Sequence, residues 1–298
     1  MSAPLDHTSP STDQYVVIGN PIAHSRSPSI HQQFAALTSQ SMAYERCLSP
    51  LEAFEATLHQ LRLQGIRGAN VTVPFKLQAA ELAHWRDPRV TLAQAANTLV
   101  FEPNGQIRAY NTDGLGLVRD IAINAKTHIT GQHLLLLGAG GAAAGALAPL
   151  IEQQPASIAI ANRTQAKAQE LVQRHQALAQ QWGVPMQALA LESVDSHALP
   201  RIDIVINATA SSLQQASLPI KRLDQLLNPE ALVYDMMYGP AAAPFLSWAQ
   251  QQCPQVHLRD GLGMLVEQAA EAFAIWRGVR PPSADVLQAL RQEISASH

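Results

Sequence analysis

The most constraining stretch of this 298-residue chain is its middle, where Leu134-Leu135-Leu136-Leu137 runs directly into Gly138-Ala139-Gly140-Gly141-Ala142-Ala143. From Leu134 to Ile151 there is no charged residue, so the segment approaches the length of a membrane span. Glycines at its centre and Pro149 near its end argue instead for a short buried strand, a tight turn and a helix. The spacing is G-x-G-x-x-A, with Ala143 in a slot that takes Gly or Ala. Gly138 would permit the turn, Gly140 would let backbone approach a pyrophosphate, and Ala143 would let helix and strand pack closely. The helix N-terminus would then offer free N–H groups to phosphate. Heading a strand-helix-strand unit, the turn reads as a dinucleotide site.

The end of the next strand bears on which dinucleotide. An NAD site usually carries an acidic residue there for the ribose diol. Here the strand Ile158–Ala161 ends in Asn162-Arg163-Thr164, with Lys167 one helical turn on. Arg163 and Lys167 suit a 2′-phosphate and the Thr164 hydroxyl can add a hydrogen bond, which favours NADP(H). The plainer alternative is a helix start capped by Thr164 beside two solvated cations.

Strands alternating with helices continue to Leu258, which implies parallel βαβ units and an α/β fold. Before Asp113 the pattern differs. Strands are expected at Tyr15–Gly19, Met42–Leu48 and Gly68–Val73, with a hairpin over Asn97–Glu102 and Gln106–Tyr110. Ser27 reads as the N-cap of a helix with Pro28 at N1, and Pro50–Gln64 reads as an amphipathic helix bearing Leu51, Phe54, Leu58 and Leu61 on one face. Two helices, Gly263–Arg277 and Ser283–Ser295, end the chain. Two α/β domains are therefore expected, divided near Asp113. Met1 to Asp13 reads as a leader with no signal peptide.

Composition narrows the function. Charged residues make up only 14% of the chain, against about 25% in an average globular protein. The net charge of −3 provides no basic field for nucleic acid. Cys47 and Cys253 cannot build a disulfide framework or a zinc site, and they fit a reducing cytoplasm. No metal site and no membrane partner is expected, and monomer and homodimer both stay open. Only four of the basic residues are lysines: Lys76, Lys126, Lys167 and Lys221.

Small polar residues gather where the first strands end: Ser25 and Ser27, Asn70, Thr72 and Lys76, Asn97, and Asn111 to Asp113. Ligands of α/β sheets collect outside the carboxyl ends of strands, and hydroxyls and amides suit a small polyhydroxylated substrate. Ser25 and Ser27, just before a helix, suit a carboxylate. Lys76 with Asp113 is the sharpest pair. Hydride transfer to a ketone makes an alkoxide that needs a proton donor; an ammonium can supply it and a carboxylate can orient it. Arginine cannot do this, because it does not give up its proton.

The ordered set Gly19-Asn20-Pro21-Ile22-Ala23-His24-Ser25-Arg26-Ser27-Pro28, Ala69-Asn70-Val71-Thr72-Val73-Pro74-Phe75-Lys76, Asn111-Thr112-Asp113-Gly114, Gly138 to Ala142, Asn162-Arg163-Thr164, Ile206-Asn207-Ala208-Thr209, Tyr234-Asp235-Met236-Met237-Tyr238 and Asp260 to Gln268 resembles shikimate dehydrogenase. The resemblance implies reversible NADPH-dependent reduction of 3-dehydroshikimate to shikimate, on the route to chorismate and the aromatic amino acids. It implies Lys76 and Asp113 as the acid-base pair. Ser25, Ser27, Asn70, Thr72, Asn97, Asp113, Tyr238 and Gln268 would then face the substrate. Gly138, Ala139, Gly140, Gly141, Ala142, Asn162, Arg163, Thr164, Lys167, Met236 and Gly261 would face the cofactor. It also implies a substrate domain of residues 1–112 with 262–298 and a Rossmann-type NADP domain of 113–261, the final helices packing back on the first domain. An NAD-using quinate/shikimate dehydrogenase and an inactive nucleotide-sensing module are the alternatives. Three departures from the family pattern stand at Ala210-Ser211-Ser212, at Ala243 where Thr is common, and at Gln94 where Gly is frequent.

Overall fold

The computed structural model describes residues 12–209 and 218–296. The Ala210-Ser212 departure and most of the N-terminal leader lie outside them. In chain order the first elements are β1 (Asp13–Gly19), α1 (Ser27–Leu37), β2 (Met42–Leu48), α2 (Phe54–Leu63), β3 (Gly68–Val71), α3 (Lys76–Glu81), β4 (Trp85–Arg86), α4 (Pro88–Ala93), β5 (Thr98–Phe101) and β6 (Ile107–Tyr110). They build a mixed six-stranded sheet in the order β2-β1-β3-β5-β6-β4. β1 pairs parallel with β2 and β3, while β5 lies antiparallel to β3 and β6.

Helix α5 (Asp113–Arg119) and a π turn (Asp120–Asn124) lead to the second sheet. There follow β7 (His133–Leu137), α6 (Gly141–Glu152), β8 (Ser157–Asn162), α7 (Gln165–Trp182), β9 (Met186–Ala190), β10 (Ile202–Asn207), α8 (Leu223–Leu226), β11 (Leu227–Asp235), α9 (Ala243–Gln252) and β12 (His257–Arg259). All the pairings in this sheet are parallel, in the order β12-β11-β10-β7-β8-β9. Counted from β7, that is the doubly wound dinucleotide-binding order, with its switch point between β7 and β10. α10 (Leu262–Arg277) and α11 (Ala284–Ala296) end the chain.

Burial explains the sequence patterns. Leu134 and Leu136 of β7 face one core with α6 and α7, while Leu135 and Leu137 face another with Phe245 and Ala249 of α9. A strand covered on both faces reads as a continuous apolar run, which is why Leu134 to Leu137 shows no alternation. In the first sheet Val16 and Ile18 of β1 face α2 and α3, and Tyr15 and Val17 face the other side. Ile30 and Phe34 of α1 pack with Val266 and Phe273 of α10 and Leu290 of α11.

Helix α5 is wedged between the two units by its glycines. A β-carbon on Gly114 would strike the Gly145 carbonyl in α6, and one on Gly116 would strike the Gln268 backbone in α10. Close helix approach on both sides therefore requires both glycines.

Several local expectations change. Arg26, not Ser27, occupies the N-cap of α1, and Ser27 is the first helical residue. Residues 50–53 turn before α2 begins at Phe54, and Leu51 is exposed because it precedes the helix. Asp13 belongs to β1 rather than to a leader. α3, β4, α4 and β9 were not expected. Among the described residues no helix is long and apolar enough to cross a membrane.

Candidate active site

A cavity of about 330 Å³ opens where β1 and β3 end, β5 and α5 begin, and the loop after β11 crosses over. That volume is at the small end of ligand pockets. Ser25, Ser27, Asn70, Thr72, Lys76, Asn97, Asp113, Tyr238 and Gln268 all line it, together with Met236 and Gly261. Sequence reasoning did not single out Ile22, His24, Arg26, Val73 or Met264, which also line it; the apolar ones carry no chemical signal in a sequence.

The loop that carries the two serines into the cavity, before α1, is held from β2. The Arg46 guanidinium donates twice to the Ser25 carbonyl, at 3.1 and 2.6 Å. The Ser27 backbone N–H donates to Ser25 Oγ at 3.3 Å. Both serines thereby sit at the start of α1, where the helix dipole favours an anion.

In the same cavity Lys76 Nζ lies 2.6 Å from Asp113 Oδ2. The pair is brought together from the start of α3 and the start of α5. Asn97 Nδ2 donates to the second carboxylate oxygen at 2.9 Å, and the Asp113 backbone N–H donates to Asn111 Oδ1. The side chain of Lys76 keeps 30% of its surface exposed and that of Asp113 only 11%, so the carboxylate is fixed and the ammonium can reach a ligand. Asn97 is spent on protein partners: its oxygen accepts from Thr98 Oγ1 and the Thr112 backbone, and its amide also reaches Thr112 Oγ1 and Gln268 Oε1. Thr112, quoted in the sequence motif but given no role, is part of this support.

The wall shared with the second sheet is also braced. Asp235, at the end of β11, accepts from Asn207 Nδ2 at 3.0 Å and from the Met237 backbone N–H at 2.8 Å. Burial pushes its carboxyl up to about 6, and those two hydrogen bonds oppose the rise. Gly261 donates to the Met237 carbonyl at 2.8 Å, so the loop carrying Met236 is fixed from both ends.

The remaining cofactor candidates do not line this cavity. They sit at the carboxyl ends of β7 and β8. Gly138 adopts φ +106°, a conformation that favours glycine. Gly140 and Gly141 border open space, since a β-carbon there would meet nothing within 4 Å. The free N–H groups at the start of α6 therefore border open space, a fit for a pyrophosphate. Ala139 is half-buried and Ala142 is exposed. Arg163, Thr164 and Lys167 are exposed together at the start of α7, and Asn162 Nδ2 donates to the Thr164 carbonyl at 2.9 Å. The Thr164 hydroxyl makes no capping bond, so the donor set fits a 2′-phosphate. Among the described residues no group of His, Cys, Asp and Glu could hold a metal ion.

The chain matches three family models: the shikimate dehydrogenase substrate binding domain over residues 17–99, shikimate / quinate 5-dehydrogenase over 120–233, and the shikimate 5′-dehydrogenase C-terminal domain over 261–291. It is 56% identical over 284 residues to shikimate dehydrogenase (NADP(+)) of Acidovorax ebreus strain TPSY, covering 95% of this chain and 98% of that one. Among solved structures it resembles an Ael1 enzyme from Pseudomonas putida, at 43% identity and TM-score 0.82 over 93% of this chain and 98% of that one. It also resembles shikimate 5-dehydrogenase from Thermus thermophilus in complex with NADP(H) and shikimate, at 28% identity and TM-score 0.76 over 94% and 99%. The chain belongs to the shikimate dehydrogenase family.

Proposed function

We propose that this chain catalyses the reversible NADPH-dependent reduction of 3-dehydroshikimate to shikimate. The observation that carries the reading is the Lys76–Asp113 pair, 2.6 Å apart, inside a pocket that Ser25 and Ser27 also line. Ser25 and Ser27 receive the substrate carboxylate. Both amide hydrogens of Asn70 are taken by the Asn97 carbonyl and Thr98 Oγ1, so Asn70 accepts from a substrate hydroxyl through Oδ1. Thr72, Asn97, Tyr238 and Gln268 complete the polar lining.

NADPH, when bound, supplies the hydride. Lys76 Nζ gives a proton to the carbonyl oxygen as it becomes an alkoxide, and takes it back from the shikimate hydroxyl in the reverse direction. Asp113, held by Asn97, orients the ammonium and accepts from the neighbouring hydroxyl. The N–H groups of Ala139 to Ala142 would receive the pyrophosphate, and Gly138, whose own N–H is held by the Ala161 carbonyl, makes the turn beneath it. Arg163, Thr164 and Lys167, next to Asn162, receive the 2′-phosphate, and Met236 with Gly261 walls the reacting ring.

The same reading divides the chain into a substrate domain of residues 1–112 with 262–298 and a cofactor domain of 113–261. The cytoplasm is the proposed compartment, since NADPH and the free thiols of Cys47 and Cys253 suit reducing surroundings.

The test follows absorbance at the NADPH band with purified protein. Consumption with 3-dehydroshikimate, much slower with 3-dehydroquinate or with NADH, supports the reading. Faster turnover of 3-dehydroquinate with NADH would replace it with an NAD-using quinate dehydrogenase.

A further inference from the structure

Tyr44 lies on β2, and only 2% of its surface is exposed. It does not line the pocket. Its ring stacks on His31, with centroids 4.2 Å apart and planes 10° from parallel. His31 follows Ser27 by one turn of α1, so the ring packs against the first turns of that helix. Packing sets the ring, and the hydroxyl then has one direction to point.

That hydroxyl donates to Asn70 Oδ1 at 2.7 Å, across the face of β1 between Tyr15 and Val17. From Asn70 the row continues without a break. Asn70 Nδ2 donates to Thr98 Oγ1 at 3.0 Å, Thr98 Oγ1 donates to Asn97 Oδ1 at 3.0 Å, and Asn97 Nδ2 donates to Asp113 Oδ1 at 2.9 Å. Asp113 holds Lys76. Burial pushes the Tyr44 phenol well above its usual range.

We propose that Tyr44 is a positioning residue: with its ring stacked on His31 of α1, the helix that begins at Ser27, and its hydroxyl on Asn70, it ties the start of α1 to the hydrogen-bonded row that ends on Asp113 and Lys76. Without that hydroxyl, Asn70 Oδ1 loses its donor within the protein, and the row on β3 is no longer tied to β2 and α1. A buried group left unpaired costs more than the bond alone, and networks of this kind fail as a unit. The inference rests on the proposed reaction, because it assigns the start of α1 and the Lys76–Asp113 pair to the carboxylate and the ketone of one substrate.

Tyr44→Phe tests it, since the ring and its stack on His31 remain and one oxygen is removed. The KM for shikimate is expected to rise about tenfold, the scale of a lost buried hydrogen bond. The KM for NADP+ is expected to stay within about twofold, a split that general destabilisation would not produce. Shikimate KM and kcat both within about twofold of wild type would overturn the proposal. Thr98→Val cuts the row one link further on and serves if Tyr44→Phe folds poorly. It is expected to raise the same KM, and an unchanged KM there also overturns the row. Wild-type protein that fails to turn over shikimate removes the functional reading and this inference with it. An active wild type with an unaltered variant removes this inference alone.

Discussion

Asp120 and Arg259 form a buried ion pair, Nη2 to Oδ1 2.5 Å and Nε to Oδ2 3.0 Å, where the two passages of chain between the sheets run side by side. Asp120 is fully buried and also accepts from Tyr234 Oη at 2.7 Å and Asn124 Nδ2 at 2.9 Å. The preceding residue, Arg119, donates instead to Glu267 of α10 at 3.1 Å. Adjacent residues thus tie the first passage to β12 on one side and to α10 on the other.

Removing one partner leaves a buried charge uncompensated, which costs about 3–5 kcal/mol. Arg259→Met should therefore lose stability on that scale in urea unfolding, and Asp120→Asn in the same background should restore part of it. Single variants within about 0.5 kcal/mol of wild type would show that the pair is not holding the crossing.

Gln94 ends α4 with φ +53°, a left-handed conformation that costs a residue with a β-carbon about 1–2 kcal/mol. That conformation accounts for the glycine usual in the family at this place. Gln94→Gly should raise stability by about 0.5–1 kcal/mol, the relief being partly offset by unfolded-chain entropy. A lower melting temperature would mean that the Gln94 side chain makes a compensating contact.

The His31 ring is wholly buried among Tyr44, Phe34, Phe273 and Trp276, with neither nitrogen hydrogen-bonded. Burial lowers its pKa to about 3 from 6.5. The unfolded chain takes up a proton first, so this contribution to stability is complete above pH 6.5 and is lost as pH falls from there toward 3. At pH 5 the loss is about 2 kcal/mol. Asp235 acts the other way, because its raised carboxyl, at about 6 against 3.8, loses stability as pH rises through that window. His31→Phe should flatten the acid limb of a stability-pH curve measured by urea unfolding. The slope is the readout, since a larger ring can cost stability equally at every pH. Parallel curves for wild type and variant would exclude His31 as the cause.

Arg163→Ala should raise the KM for NADPH by at least about tenfold and leave the KM for NADH nearly unchanged, because only NADPH carries the 2′-phosphate. Equal effects on both would remove the assignment of Arg163 to that phosphate.

The parts of the fold legible in the sequence are those whose cause is local. The turn from Gly138 to Ala143 needs glycine where φ is positive and small residues where helix meets strand, and neighbouring residues alone decide that. α3 and α4 escaped because six residues make too few turns to display a period. The boundary of α2 shifted because Leu51 keeps helical spacing without being helical. Lys76 and Asp113 were legible as chemistry, and their meeting at 37 residues' separation is a product of the fold. Tyr44 and Arg259 carried no signal, because the atoms they bind lie 26 and 139 residues away.

The most direct measurement compares NADPH consumption with 3-dehydroshikimate by wild-type protein and by Lys76→Ala, after unfolding curves have shown that both are folded. Wild type is expected to be active and the variant to have a kcat about 10²–10⁴-fold lower, with a milder change in KM, as for a lost acid-base group. A Lys76→Ala protein that keeps the wild-type kcat would contradict that role, because the proton would then come from another group.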